Sequence, residues 1–267
     1  MKREQFSYTA KELLPYIDWS YFFHAWSISY RNSNSEAALE LKRDAIDIIT
    51  NCNCYVNALF GLCDAHSDGD NLLIDGVQLP LLRQQHNNGG PNLCLSDFVS
   101  PYSDKIGLFA TSIERKFEES RDANDPYQNL LIQTIADRLA EAAATLLHLH
   151  VRTNPNLWGY APEEQLTIEE LNREQYQGIR PAVGYPSLPD QSVIFIIDKL
   201  LNLKDAGINL TESGAMRPHA SVCGIMISHP AARYFAVGSI SEEQFNDYAQ
   251  RRGIEKKLLN RYLVKNI

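Results

Sequence analysis

A chain of 267 residues with 44% hydrophobic and 22% charged side chains can bury a sizeable core and is too apolar to stay disordered. Its formal net charge of -8 repels a phosphate backbone, and no dense Lys/Arg stripe offsets that charge, so no nucleic acid partner is expected. No apolar run approaches the roughly 20 residues of a membrane span, and nothing apolar follows the basic start Met1-Lys2-Arg3-Glu4-Gln5, so the expectation is a cytoplasmic chain without membrane span or signal peptide.

In chain order, residues 36–51 place Ala37, Leu41, Ala45, Ile48 and Ile49 at helical spacing behind Ser35, which predicts a capped helix. Residues 52–82 predict two strands around Ser67-Asp68-Gly69-Asp70, followed by the turn chemistry of Asp75-Gly76. Residues 92–111 read as two short strands broken by Pro101. A long helix starts at Asp125-Pro126 and runs to about Val151, with Leu130, Leu131, Ile135, Leu139, Leu146 and Leu147 on its apolar side. Residues 154–162 form a loop, and Thr167-x-x-Glu170 resembles a capping box opening the next helix. The segment 192–206 is amphipathic, strands are expected over 219–227 and 232–240, and Ser241-Glu242-Glu243 opens a terminal helix. Strands and helices mix without strict βαβ alternation, and no linker divides the chain. The expected fold is therefore α+β, a single domain over 1–267 with a twisted antiparallel sheet and flanking helices.

Cys52-x-Cys54 could begin a metal site, but no second pair or nearby His completes it, so these two read as small buried residues of a strand. The densest stretch is 178–190, where Pro181, Pro186 and Pro189 with Gly178 and Gly184 make a stiff loop that exposes backbone donors and acceptors. Arg180, held extended before Pro181, suits a guanidinium that grips a carboxylate through paired bonds. A surface crossover with Arg180 in solvent accounts for the same composition.

The loop Arg180-Pro181-Ala182-Val183-Gly184-Tyr185-Pro186 resembles the signature of the activation domain of cobalamin-dependent methionine synthases. The likeness runs nearly end to end, through Tyr16-Ile17-Asp18-Trp19, Leu82-Arg83-Gln84-Gln85, Cys94-Leu95-Ser96-Asp97-Phe98-Val99 and Ala136-Asp137-Arg138-Leu139-Ala140-Glu141-Ala142. It continues through Trp158-Gly159-Tyr160-Ala161-Pro162, Leu210-Thr211-Glu212-Ser213, Ser228-His229-Pro230 and Tyr234-Phe235-Ala236-Val237. The resemblance implies a module that binds S-adenosylmethionine and presents its methyl group to cobalamin, restoring a cobalt centre that has oxidised. It implies Asp18 on the ligand's amino group and Arg180 on its carboxylate. Backbone around Pro181, Ala182, Gly184 and Tyr185, with Tyr234 and Phe235, would hold the adenosine, while Glu141 and Glu174 would supply negative field near the sulfonium. Asp137 would face the cobalamin module, with Glu114 as its acidic companion.

Plainer readings stand beside these. Asp18 could cap the helix that follows it, and Asp137 with Glu141, four apart on one helix face, could be a solvated acidic patch. Asp64-x-His66-x-x-Gly69 spells a cobalt-ligand motif, but it lies at a turn between strands rather than in a doubly wound sheet, so it reads as chance. The chain is accordingly read as a stand-alone polypeptide whose cobalamin comes from a partner subunit, with a flavodoxin-like or other electron donor completing the system. It would serve as part of a methyltransferase with no turnover alone; a non-catalytic S-adenosylmethionine sensor or corrinoid-protein escort is the alternative. Pro189-Asp190-Gln191 departs from the family's closing Pro-Asp/Glu-His.

Overall fold

The computed structural model describes residues 1–86, 89–121 and 124–263. Strand β1 (Lys2–Thr9) leads into the short helix α1 (Ala10–Leu13), then α2 (Trp19–Ala25) and α3 (Glu36–Asn51), which Ser35 caps as its position predicts. The sheet continues with β2 (Tyr55–Asp68), β3 (Asn71–Ile74), β4 (Val77–Pro80) and, after a 3-10 turn at Leu95–Phe98, β5 (Asp104–Ile113). Helices α4 (Arg115–Glu118), α5 (Pro126–Thr153), α6 (Ile168–Asn172) and α7 (Val193–Leu201) follow. A small ribbon of β6 (Asn209–Leu210) and β7 (Met216–Arg217), strand β8 (Ser221–Met226), α8 (Glu242–Arg252) and α9 (Lys256–Tyr262) complete the described chain.

The main sheet is antiparallel in the order β4-β3-β2-β5-β8, and the long β2 carries two partners on one edge. β1 pairs with Tyr55–Leu62 and β3 with Ala65–Asp68. Both faces are covered, which the period-2 alternation records. Val56, Ala58 and Phe60 of β2, Phe109 and Ile113 of β5, and Val222 and Met226 of β8 enter one core with α1, α2, α3 and α5. Leu59, Cys63 and Ala65, then Ile106, Leu108 and Ala110, then Cys223 and Ile225 enter the other with α7. A central strand buried on both faces reads as a continuous apolar run, as β5 does.

Helix α5 crosses the first core with Asp125 as its cap, accepting from Gln128 N at 3.0 Å, and Pro126 at its start. Its Ala140, Ala142, Ala143 and Ala144 are buried, and the small side chains let the helix sit close enough for Thr111 Oγ1 to donate to the Ala140 carbonyl at 2.9 Å.

Several expectations need correcting. The stretch 52–82 holds three strands, because Asp75-Gly76, with φ of 46° and 78°, turns β3 back into β4 as a second hairpin. The first strand expected within 92–111 is a 3-10 turn, since the Asp97 carboxylate takes the Cys94 N–H at 2.8 Å. Residues 232–240 form no strand: Phe235 N–H goes to Ser187 Oγ at 3.1 Å and Val237 N–H to the Pro186 carbonyl at 2.9 Å. The 192–206 segment breaks at Asn202, whose φ is 54°. Cys52 caps the end of α3 and Cys54 sits just before β2, so neither is a strand residue, and only Cys54 is fully buried.

Candidate functional site

The loop singled out in the sequence runs along the open edge of β8. Ile179 exchanges both backbone bonds with Ile227 at 2.9 Å, Ile225 N–H donates to the Pro181 carbonyl at 3.0 Å, and Val183 N–H donates to the Cys223 carbonyl at 2.9 Å. Pro181 lacks an N–H, which is tolerated at a sheet edge. This approach is close. A Cβ on Gly224 would lie 2.1 Å from the Pro181 carbonyl oxygen and 2.8 Å from Ala182 Cα, so glycine is required there. Gly184, at φ 84°, makes the tight turn in which Tyr185 N–H reaches the Ala182 carbonyl at 3.2 Å.

Between this edge and α5 lies a cleft of about 470 Å³. Arg138, Glu141, Ala142 and Thr145 project into it from one face of α5, as helical spacing requires. The predicted residues Asp18, Glu141, Glu174, Arg180, Pro181, Ala182, Tyr185, Tyr234 and Phe235 all line it. Gly184 does not, and its part is the turn.

Arg180 is the cation at its centre. Its Nη2 donates to Thr145 Oγ1 at 2.9 Å and its Nη1 lies 3.7 Å from Glu141 Oε2, while its buried Nε has no protein partner. Glu141 also accepts the Tyr185 hydroxyl, so the acidic face of α5 is answered by a cation and a donor rather than only by water. Asp18 does what its position allows on both readings: it caps α2, with Ser20 N and Oγ bonding to Oδ1 at 2.8 and 2.5 Å, and it lines the cleft. Glu174 is held at φ 55°, in the left-handed position after α6 that glycine usually fills; Glu174 N–H bonds the Leu171 carbonyl and Gln175 N–H the Glu170 carbonyl, each at 3.0 Å. Strain of this kind, on the order of 1 kcal/mol, is found at functional sites. Burial raises the Glu174 carboxyl pKa, and Arg180 opposes the rise.

Asp137 lies one step round α5 from the cleft, with its side chain 35% exposed and Oδ1 3.9 Å from His219 Nδ1. Burial raises its pKa, Glu118 and Glu141 add to that, and His219 and Arg138 oppose it. The acidic neighbour is thus Glu118 and not the expected Glu114. Glu114 accepts the Tyr55 N–H at 3.0 Å and pairs with Lys116 at 3.0 Å, because it sits at the start of α4 where the strand ends.

Sequence reasoning missed Thr145 and Tyr176. Thr145 follows Glu141 by four residues, a signal that was available. Tyr176 belongs to a buried group behind the cleft: its hydroxyl meets that of Tyr234 at 3.1 Å, and its ring lies 4.5 Å from the Arg152 guanidinium. Arg152, one charge on the apolar side of a long helix, was the clue.

Residues 9–253 match the sequence family described as the activation domain of vitamin B12 dependent methionine synthase. The chain belongs to this family. It is also similar, at 37% identity and a TM-score of 0.92, to the MetH reactivation domain crystallised with AdoHcy, over 100% of this chain and 90% of that one. Among the described residues, this activation domain has no cluster of three or more His, Cys, Asp or Glu that could hold a metal ion, and no helix long and apolar enough to cross a membrane.

Proposed function

We propose that the cleft binds S-adenosylmethionine and that the chain presents the ligand's methyl group to cobalamin, reactivating methionine synthase as a subunit of that methyltransferase. The observation that carries this is the charge set of the cleft. Its ionisable wall is made of Arg138 and Arg180 against Asp18, Glu141 and Glu174, an excess of one negative charge when all are ionised. S-adenosylmethionine has one carboxylate, one ammonium and one sulfonium, an excess of one positive charge.

The residues fit the ligand part by part. Arg180, largely buried and bonded within the protein through Nη2 to Thr145, takes the carboxylate through charge-assisted bonds. Asp18 receives the ammonium through Oδ2, since Ser20 occupies only Oδ1. Glu141 and Glu174 both lie close enough to Arg180 to act on its charge, and they offset the sulfonium charge. The backbone of Pro181 and Ala182, with Tyr185, Tyr234 and Phe235, forms the surface against which the adenosine rests. Bound S-adenosylmethionine supplies an electrophilic methyl group. The chain itself contributes orientation, holding that carbon at the cleft mouth where Asp137 and Tyr185 face the cobalamin module, so no nucleophile or general base is called for. A flavodoxin-like electron donor belongs to the same reading.

Calorimetry with S-adenosylmethionine on the wild type and on Arg180→Ala tests the site. The expected result is wild-type heat that the variant loses; absence of wild-type binding defeats the proposal. Adding the cobalamin module, a reductant and methyl-labelled ligand tests the role: label on cobalamin supports reactivation, whereas binding without transfer leaves only a sensor or escort.

A further inference from the structure

Behind the cleft lies a polar group whose inner members, Arg152, Glu164, His148 and Tyr160, do not line it and whose outer members, Tyr176 and Tyr234, do. Arg152, on the last turn of α5, has a side chain only 1% exposed, and its Nε donates to Glu164 Oε2 at 2.7 Å. The other oxygen of Glu164 accepts the Gln177 N–H at 3.0 Å, and the Gln177 amide donates to the Ser228 carbonyl at 2.9 Å. The Arg152 guanidinium lies over the ring of Tyr176 at 4.5 Å, while the His148 ring meets that ring edge-on at 4.9 Å. His148 Nε2 is bonded to the Tyr160 hydroxyl at 2.9 Å. The Tyr176 and Tyr234 hydroxyls meet at 3.1 Å, and the Tyr234 oxygen accepts the backbone N–H of Arg180 at 2.9 Å.

A buried ion pair of this sort is costly to assemble and contributes little net stability compared with an apolar replacement. What it does do is fix geometry, because each member has a directional partner. Here the bonds from Glu164 to the Gln177 N–H, from the Gln177 amide to Ser228, between Tyr176 and Tyr234, and from the Arg180 N–H to Tyr234 hold residues 176–180, which carry the guanidinium of Arg180. A side chain as long as arginine loses rotamer freedom when it grips a ligand, so fixing its root in advance lowers the cost of binding.

We infer that Arg152, Glu164 and Tyr176 are positioning residues for the ligand's carboxylate: they act through Tyr234 and the Gln177 backbone to aim Arg180. This rests on the reading of the cleft as an S-adenosylmethionine site. Arg152 and Glu164 do not line the cleft, so their effect reaches the ligand only through the segment 176–180.

The test compares two ligands on the full chain. S-adenosylmethionine has the amino-acid tail, and 5′-methylthioadenosine has the same nucleoside without it. Tyr176→Phe keeps the ring and removes only the hydroxyl; Glu164→Gln keeps an acceptor for Gln177 and removes the charge that orients Arg152. Each is expected to weaken S-adenosylmethionine binding by about 5- to 10-fold, the equivalent of one net hydrogen bond, with 5′-methylthioadenosine affinity unchanged. If Tyr176→Phe binds the full ligand as the wild type does, or if both ligands weaken equally in both variants, the inference is overturned. Failure of the wild type to bind S-adenosylmethionine at all would instead remove the functional reading beneath it.

Discussion

Replacing Gly224 with alanine tests whether the edge pairing described above builds the cleft. The new Cβ would stand 2.1 Å from the Pro181 carbonyl oxygen, 2.8 Å from Ala182 Cα and 2.9 Å from Phe109 Cε1. The first two are backbone atoms, so no rotamer relieves the clash and the strand carrying Arg180 has to move out. Two bonds then lengthen or break, Ile225 N–H to the Pro181 carbonyl at 3.0 Å and Val183 N–H to the Cys223 carbonyl at 2.9 Å. At about 0.5–1.5 kcal/mol net for each bond, with about 1–3 kcal/mol for overpacking, the loss is about 2–6 kcal/mol. For a chain of this length, at about 2–4 °C per kcal/mol, that corresponds to a fall in Tm of about 4–24 °C. Circular dichroism melts of Gly224→Ala and wild type measure it directly, and calorimetry on the same samples should show weaker S-adenosylmethionine binding, because Pro181 and Ala182 are part of the wall. A melting temperature within about 2 °C of wild type would refute the reasoning, since it would mean that the edge strand had room to spare.

Three further outcomes follow from the same structure. Glu174→Gly relieves a left-handed backbone at φ 55° and should raise stability by up to about 1 kcal/mol in urea titrations while weakening S-adenosylmethionine binding; a variant that gains neither stability nor loses affinity contradicts the role given to this carboxylate. His148 is fully buried, and its pKa is held well below 6.5, first by burial and then by the charges of Arg152 and Arg180. The unfolded chain therefore takes up a proton below about pH 6.5 that the native chain refuses, so stability present above that pH is lost as pH falls toward the native pKa, by about 1.4 kcal/mol per unit. Half-buried His150 acts with the same sign. Urea midpoints compared between wild type and His148→Gln across this window should show a shallower acid slope in the variant, and identical slopes would count against it. The Cys52 thiol is drawn down to about 7, first by its hydrogen bond with Cys54, whereas burial pushes Cys63 and Cys223 up to about 12 and Cys94 up to about 11. Iodoacetamide near neutral pH should label Cys52 first, read by peptide mass spectrometry, and uniform labelling would argue otherwise.

What could be read in advance depended on whether the signal was local. The α5 helix carried its own cap, proline and apolar stripe, and the turn at Gly69 carried its own chemistry, so both are found where expected. Residues 232–240 have strand composition, but the edge of β8 is taken by 179–183, a competition that no local window contains. Gly224 looked like any strand glycine until the crossing of Pro181 was known. Nine of the cleft residues were reached through the resemblance, while Tyr176 and Arg152 were not, because their role lies in a buried arrangement assembled from four separate segments. Asp18 illustrates why composition alone left two readings open, since cap and cleft wall turn out to be the same side chain.

The two ends of the cleft differ in how firmly they are held, and that difference bears on how binding and methyl presentation divide. The Arg180 end rests on mid-helix residues of α5 and on a loop segment bonded to β8, with the Arg180 N–H donated to Tyr234 and its Nη2 to Thr145. The other end carries Tyr185, 50% exposed and on a tight turn, with Asp137 one step round α5 beside a largely exposed His219. A ligand gripped at the buried end has its methyl group placed by the scaffold, whereas the approach of a cobalamin-bearing module depends on side chains that can still rearrange. Changes around Arg180 should therefore reach S-adenosylmethionine affinity first. Changes at Asp137 or His219 should leave affinity in place and reach the transfer step, and a chain in which Asp137→Asn weakened ligand binding as much as Arg180→Ala would show that the two ends are not separate.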